Sequence, residues 1–187
     1  MFWSLKLDSL ENWAFATEVF SKEECEKIIK IGKNLKPEKA ITFSKKENIR
    51  LSKTSWIYPQ EETNWIYKKL TDVVLLTNEK YFNFNLLGFA EGLQFTIYES
   101  PGGKYEPHLD RGNFSSIRKL SLVVQLSNSE KYVGGDLSFH LSDTPTVAPK
   151  KQGTVIVFPS YILHGVQPVI KGTRYSLVAW ITGPQFK

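Results

Sequence analysis

A chain of 187 residues and 21.4 kDa with 41% hydrophobic and 13% aromatic residues has the size and apolar content of one domain with a substantial core. Its 24 basic against 19 acidic residues leave a formal charge of +5, too mild an excess to demand a nucleic acid. The single cysteine, Cys25, excludes an internal disulfide framework and any zinc site built on several thiolates, and it suits a reducing compartment.

The opening MFWSLKLDSLENW lacks a basic segment followed by an apolar run, and nowhere are about 18 apolar residues consecutive. The expectation is a cytoplasmic protein with no membrane partner, monomeric by default. One domain is expected over 1–187, with residues 1–83 as helical and strand support for a core at 84–182. SKEECEKIIKIGKNL, residues 21–35, opens on a serine with Glu24 three positions later, the pattern of a capping box, and sets Cys25, Ile28, Ile29 and Leu35 on one side. It predicts an amphipathic helix. Lys33 to Lys53 holds seven lysines and arginines against Glu38 and Glu47, which marks a solvated loop. From about Glu61 to Asn78, Trp65, Ile66, Leu70, Val73 and Val74 recur at helical spacing and predict a second helix.

From about Phe84 the texture changes to short β-branched and aromatic runs: GLQFTIYE, KLSLVVQLS, DLSFHLS, GTVIVFP, HGVQPV and TRYSLVAWI. Proline, glycine and asparagine stand between them, as turns require. Six or more strands after helices point to a mainly β fold with flanking helices: a jelly roll, or double-stranded β-helix of the cupin kind, with the N-terminal helices packed outside one sheet.

Three histidines occur: His108, His140 and His164. His108 and Asp110 stand two apart in YEPHLDRG, and in an extended chain residues two apart share a face, so both can reach one ion. His164, in FPSYILHGV, is the candidate third ligand. Two imidazoles and a carboxylate on one face of an octahedron suit non-haem iron(II). Taken alone, the His-x-Asp pattern fits a surface pair or a hydrogen-bonded core histidine as well. TRYSLVAWI puts Arg174, Ser176, Val178 and Trp180 on one face and Tyr175, Leu177, Ala179 and Ile181 on the other. A guanidinium in so apolar a strand needs an anion, either a dicarboxylate co-substrate or an acidic side chain. In GLQFTIYE, Leu93, Phe95 and Ile97 alternate with Gln94, Thr96 and Tyr98, whose polar face belongs either to solvent or to a cavity. His140 reads as a solvent-facing or supporting residue, and Gly134-Gly135-Asp136 as a tight turn needing positive φ.

Read together, QFTIYESPGGKYEPHLD, IRKLSLVVQLS, GGDLSFH and GTVIVFPSYILHGVQPVIKGTRYSLVAW resemble the catalytic core of the prolyl 4-hydroxylase group of 2-oxoglutarate/Fe(II)-dependent oxygenases. The likeness covers about residues 90–182 and extends faintly to FSKEECEKII and IRLSKTSWI. It implies that His108, Asp110 and His164 bind Fe(II) and that Arg174, ten positions beyond the distal histidine, binds the far carboxylate of 2-oxoglutarate. Many members have lysine there, and related ones arginine. Ser176 completes an Arg-x-Ser string used for the same carboxylate in other branches, and Tyr98 matches a tyrosine that hydrogen-bonds the co-substrate. Tyr105 and Trp180 match aromatic positions near the substrate. Arg50 and Ser52, in the segment that folds over peptide in prolyl hydroxylases, are further candidate contacts, unless that segment is one more edge strand.

The activity so implied consumes O2 and 2-oxoglutarate, with ascorbate as a supporting reductant, and hydroxylates a substrate carbon. Asp110 favours hydroxylation over halogenation, since halogenating members lack this carboxylate. A peptidyl proline in a peptide or protein is the first substrate expectation, and a free amino acid or small metabolite the second. A nucleic-acid substrate is not expected, because demethylating relatives carry a second arginine where this chain has Trp180. Other classes stay open: a non-catalytic jelly-roll binding module, or a metal hydrolase.

Overall fold

The computed structural model describes residues 11–40, 49–89, 91–112 and 117–185. Chain order gives β1 (Ala14–Ala16), α1 (Lys22–Asn34), β2 (Glu38–Lys39), β3 (Arg50–Leu51), β4 (Lys53–Ile57) and α2 (Asn64–Thr77). The strands β5 (Gly88–Phe89), β6 (Leu93–Glu99), β7 (Lys104–His108), β8 (Arg118–Gln125) and β9 (Tyr132–Gly134) follow. The chain then forms β10 (Leu137–Phe139), β11 (Thr146–Val147), β12 (Val155–Pro159), β13 (His164–Val166) and β14 (Val169–Thr182).

The first helix forms as its sequence dictates. Glu24 N–H donates to Ser21 Oγ at 3.2 Å while Ser21 N–H donates to Glu24 Oε2 at 2.8 Å, so two of the free amides at the helix start are satisfied. Its buried side carries Cys25, Ile28 and Gly32. Gly32 is required by proximity: a Cβ there would overlap the Phe95 ring of β6. The second helix starts three residues later than its spacing predicts. Thr63 Oγ1 accepts from Gln60 N–H at 2.9 Å and donates to the Tyr58 carbonyl at 2.7 Å, which ties those residues into a turn. Beyond Thr77 the chain widens into a π-helical turn, Asn78–Phe82.

Two antiparallel sheets face each other. The larger runs β1-β12-β8-β14-β6-β4-β2, with β5 and β9 also paired to β14; the smaller runs β11-β10-β13-β7-β3. One core lies between the helices and the outer face of the larger sheet, and includes Ile28, Ile66, Leu70, Phe95, Leu122 and Leu177. A second lies between the sheets, and includes Phe139, Ile156, Phe158, Val166 and Val169. This is the expected jelly roll with helices outside one sheet. The basic stretch is not all loop: β2, β3 and the first residue of β4 fall within it, and residues 41–48 lie outside the described part. Nor is IRLSKTSWI one edge strand. Arg50 and Leu51 pair with β7 of the smaller sheet, whereas Lys53–Ile57 pair with β6 of the larger, so this segment crosses between the sheets at buried Ser52. Among the described residues no helix is long and apolar enough to cross a membrane.

Candidate metal and co-substrate site

His108 ends β7 and His164 begins β13, and the two are direct register partners across that antiparallel pair. Cross-strand neighbours share a face, so the rings lie with centroids 4.4 Å apart. His108 Nδ1 is 2.8 Å from the Glu106 carbonyl and His164 Nδ1 is 2.9 Å from that of Ile162. A carbonyl can only accept, so each Nδ1 carries the proton and each Nε2 is left with a free lone pair. Asp110 follows just past the strand, with Oδ1 3.6 Å from His108 Nε2 and Oδ2 3.5 Å from His164 Nε2. One donor atom from each residue thus lies within 4.8 Å of the other two.

Burial opposes charge on Asp110, but His164 and His108 beside it, helped by the Ser121 hydroxyl, hold its carboxyl well below the usual carboxylate range. Burial also pushes the His164 imidazole down, against the pull of Asp110 in the other direction. An ionised carboxylate and a neutral imidazole are the forms in which these groups bind a cation. Three nitrogen and oxygen donors confined to one side suit an octahedral ion with open positions better than a closed tetrahedral site.

Arg174 is 1% exposed. Its Nη2 donates to Gln125 Oε1 at 2.9 Å and its Nη1 to Ser176 Oγ at 3.4 Å, its guanidinium lies over the Tyr98 ring at 5.4 Å, and its Nε has no partner. Among the described residues no carboxylate meets it, which removes the acidic side chain as its counter-ion there. A buried guanidinium with only neutral neighbours and an idle N–H is suited to receiving a carboxylate. Tyr98 is its register partner on β6, and Ser176 sits between Thr96 of β6 and Gln125 of β8. Gln94, Thr96 and Tyr98 are all buried, so this face of β6 lines the interior of the sandwich and does not meet solvent.

Tyr105 stacks on His108 with centroids 3.6 Å apart, and Arg50 lies over Tyr105 at 4.7 Å. Arg50 also donates to Ser52 Oγ and Gln94 Oε1, both at 2.8 Å. Trp180 is buried with its indole N–H unpartnered, 6.2 Å from Trp56. His140 is not one of the triad: it directly follows Phe139, the register partner of His164, with its Nε2 3.3 Å from Ser138 Oγ. Arg118 escaped the sequence reading. Its guanidinium lies over Trp180 at 3.8 Å, grips Glu91 through Nε and Nη2 at 2.7 and 2.6 Å, and donates from Nη1 to the Asp110 carbonyl at 3.2 Å. Strict alternation would place Arg118 with Leu120 on the helix side. The pairing of β14 with β8 slips here, from Ile181 opposite Leu120 to Thr182 opposite Arg118, and the irregularity turns the arginine inward.

The sandwich gathers two imidazoles and a carboxylate at one strand pair, the donor set from which a facial triad for a metal can be built. Residues 93–182 match the 2OG-Fe(II) oxygenase superfamily. A PKHD-type hydroxylase of Prochlorococcus marinus is 31% identical over 137 residues, 73% of this chain and 59% of the relative. The chain thus spans about three fifths of the length of the curated relatives it matches. Two solved structures share the fold at TM-score 0.75: a Pseudomonas putida prolyl-4-hydroxylase, 23% identical and covering 92% of this chain and 93% of that one, and a Trichoplax adhaerens prolyl hydroxylase in complex with a hypoxia inducible factor peptide fragment, 16% identical with 91% and 83% covered. Over residues 93–182 the chain thus resembles the 2-oxoglutarate/Fe(II) oxygenases, and it shares its fold with prolyl hydroxylases.

Proposed function

We propose that this chain is an Fe(II)- and 2-oxoglutarate-dependent dioxygenase that hydroxylates a substrate carbon, with a peptidyl proline as the leading substrate. The observation that carries the reading is the meeting of His108, Asp110 and His164 donor atoms within 4.8 Å, each histidine oriented by a backbone carbonyl. Iron(II) bound there with 2-oxoglutarate would supply the power to convert O2 and a C–H bond into an alcohol, releasing succinate and carbon dioxide. His108 Nε2, His164 Nε2 and the Asp110 carboxylate would hold the metal. Arg174 would take the far carboxylate of 2-oxoglutarate through its idle Nε–H and its Nη groups, with Ser176 and Tyr98 completing the polar cradle. The apolar packing of Phe139, Phe158 and Val169 between the sheets would keep bulk water away.

Tyr105 on His108 and Trp180 beside Arg118 would flank the substrate, and Arg50 and Ser52 would contact it from the crossing segment. A peptidyl proline is favoured by two likenesses of fold: one neighbour is a prolyl-4-hydroxylase, and another prolyl hydroxylase was captured with a peptide. Incubation with Fe(II), ascorbate, O2 and 2-oxoglutarate is expected to release succinate and to add one oxygen to members of a proline-rich peptide library. His108→Ala or Asp110→Ala is expected to abolish both. Succinate without any peptide gain would redirect the substrate to a small metabolite. Absence of succinate from the wild-type protein, with Fe(II) binding verified, would leave a binding module in place of an enzyme.

A further inference from the structure

Arg174 carries a long flexible stem, and a buried arginine grips a carboxylate well only if that stem is held in one rotamer. The stem lies against a glycine. A Cβ placed on Gly135 would sit 3.1 Å from Arg174 Cδ and 2.9 Å from Val169 Cγ2, so no other residue type leaves this path open. Gly135 also has φ +63°, following Gly134 at φ +75°, a backbone that side chains disfavour. The turn is fastened on both sides. Gly135 N–H donates to the Pro168 carbonyl at 3.1 Å, beside the pairing of Gly134 with Val169. Lys150 Nζ donates to the Gly134 carbonyl at 2.9 Å, meets Asp136 Oδ1 at 2.9 Å, and lies over the Tyr132 ring at 4.7 Å. The Tyr132 ring is itself 3.5 Å from that same Cβ position.

We propose that the Gly134-Gly135-Asp136 turn, clamped by Lys150, is the positioning element for Arg174: its bare backbone forms the wall that fixes the arginine stem and aims the guanidinium at the far carboxylate of a dicarboxylate co-substrate. The proposal rests on Arg174 being the 2-oxoglutarate anchor. Gly135 and Lys150 are positioning residues, acting on the co-substrate only through Arg174. Their loss therefore weakens the binding of a keto acid with a second carboxylate and leaves one without it unchanged.

The test uses the full chain loaded with Mn(II) under argon, with calorimetric titration of 2-oxoglutarate and, separately, of pyruvate, which has the keto-acid end but no far carboxylate. Gly135→Ala and Lys150→Met are expected to weaken 2-oxoglutarate binding on the order of tenfold while pyruvate and Mn(II) affinities stay at the wild-type values. Lys150→Met keeps the experiment decisive if the strained Gly135→Ala does not fold. Wild-type 2-oxoglutarate affinity in Lys150→Met, or an equal loss for 2-oxoglutarate and pyruvate, would overturn the proposal. Arg174→Met separates the two layers: if it loses 2-oxoglutarate but the turn variants do not, the turn is no positioning element and the anchor stands. If Arg174→Met itself binds 2-oxoglutarate as the wild type does, the anchor reading falls and the turn's role with it.

Discussion

Arg174, the proposed co-substrate anchor, illustrates how a residue can be held against stability. A guanidinium at 1% exposure, bonded to Gln125 and Ser176 with no carboxylate near it among the described residues, loses its hydration without gaining an ion pair. Arg174→Met fills a similar volume without the charge. It is expected to raise the ligand-free stability by roughly 1 kcal/mol or more, read from urea unfolding. The same change removes charge-assisted hydrogen bonds worth about 1.5–3 kcal/mol each, and so is expected to weaken 2-oxoglutarate binding roughly ten- to hundredfold. Lower stability together with unchanged binding would contradict both halves. Cys25 shows burial acting on a residue of the hydrophobic core. Desolvation, with Glu24 nearby, pushes its thiol up to about 12. Only the thiolate reacts, and at pH 8 it is about one part in ten thousand. The native protein is expected to resist iodoacetamide and to take up one equivalent once unfolded, as mass spectrometry would show.

At the scale of elements, α1 sits on the larger sheet through a glycine. Helix propensity alone would favour alanine at position 32, yet the Phe95 ring occupies the space a methyl would need. Gly32→Ala is expected to cost about 1–3 kcal/mol in urea unfolding, whereas Lys30→Ala on the exposed side of the same helix should change stability little. A neutral or stabilising Gly32→Ala would mean that the helix can lift from the sheet freely. The strand pair β7 and β13 has the opposite character: a short ladder whose in-register histidines depend on it for their spacing. Both imidazoles are fixed by carbonyls two residues back, Glu106 within β7 and Ile162 in the turn that leads into β13, so local backbone orients each ring and the ladder sets the distance between them.

For the molecule as a whole, the triad brings residue 108 to residue 164, so an ion bound there would couple its binding to closure of the smaller sheet. A cation that binds only the folded chain stabilises it by about 2.7 kcal/mol at a hundredfold excess over its Kd. Mn(II) is therefore expected to raise Tm by several degrees, EDTA to reverse the rise, and His164→Ala to abolish it. An equal rise in that variant would place the ion elsewhere.

Much of this was legible in the chain. The capping box at Ser21, the alternation in residues 93–99 and 173–181, and the His-x-Asp spacing are local patterns, governed by hydrogen bonds and side-chain periods that a few neighbouring residues determine. They specified the helices, the long strands, and which face of each would be dry. Pairing decided the rest, because register and bulges are properties of two strands at once. The sequence alone could not say that His108 stands opposite His164, that the polar face of β6 looks into the sandwich, or that residues 50–57 divide between two sheets. It could not reveal Arg118 either, since one slip in the register with β14 turns that side chain from the helix side to the Asp110 side.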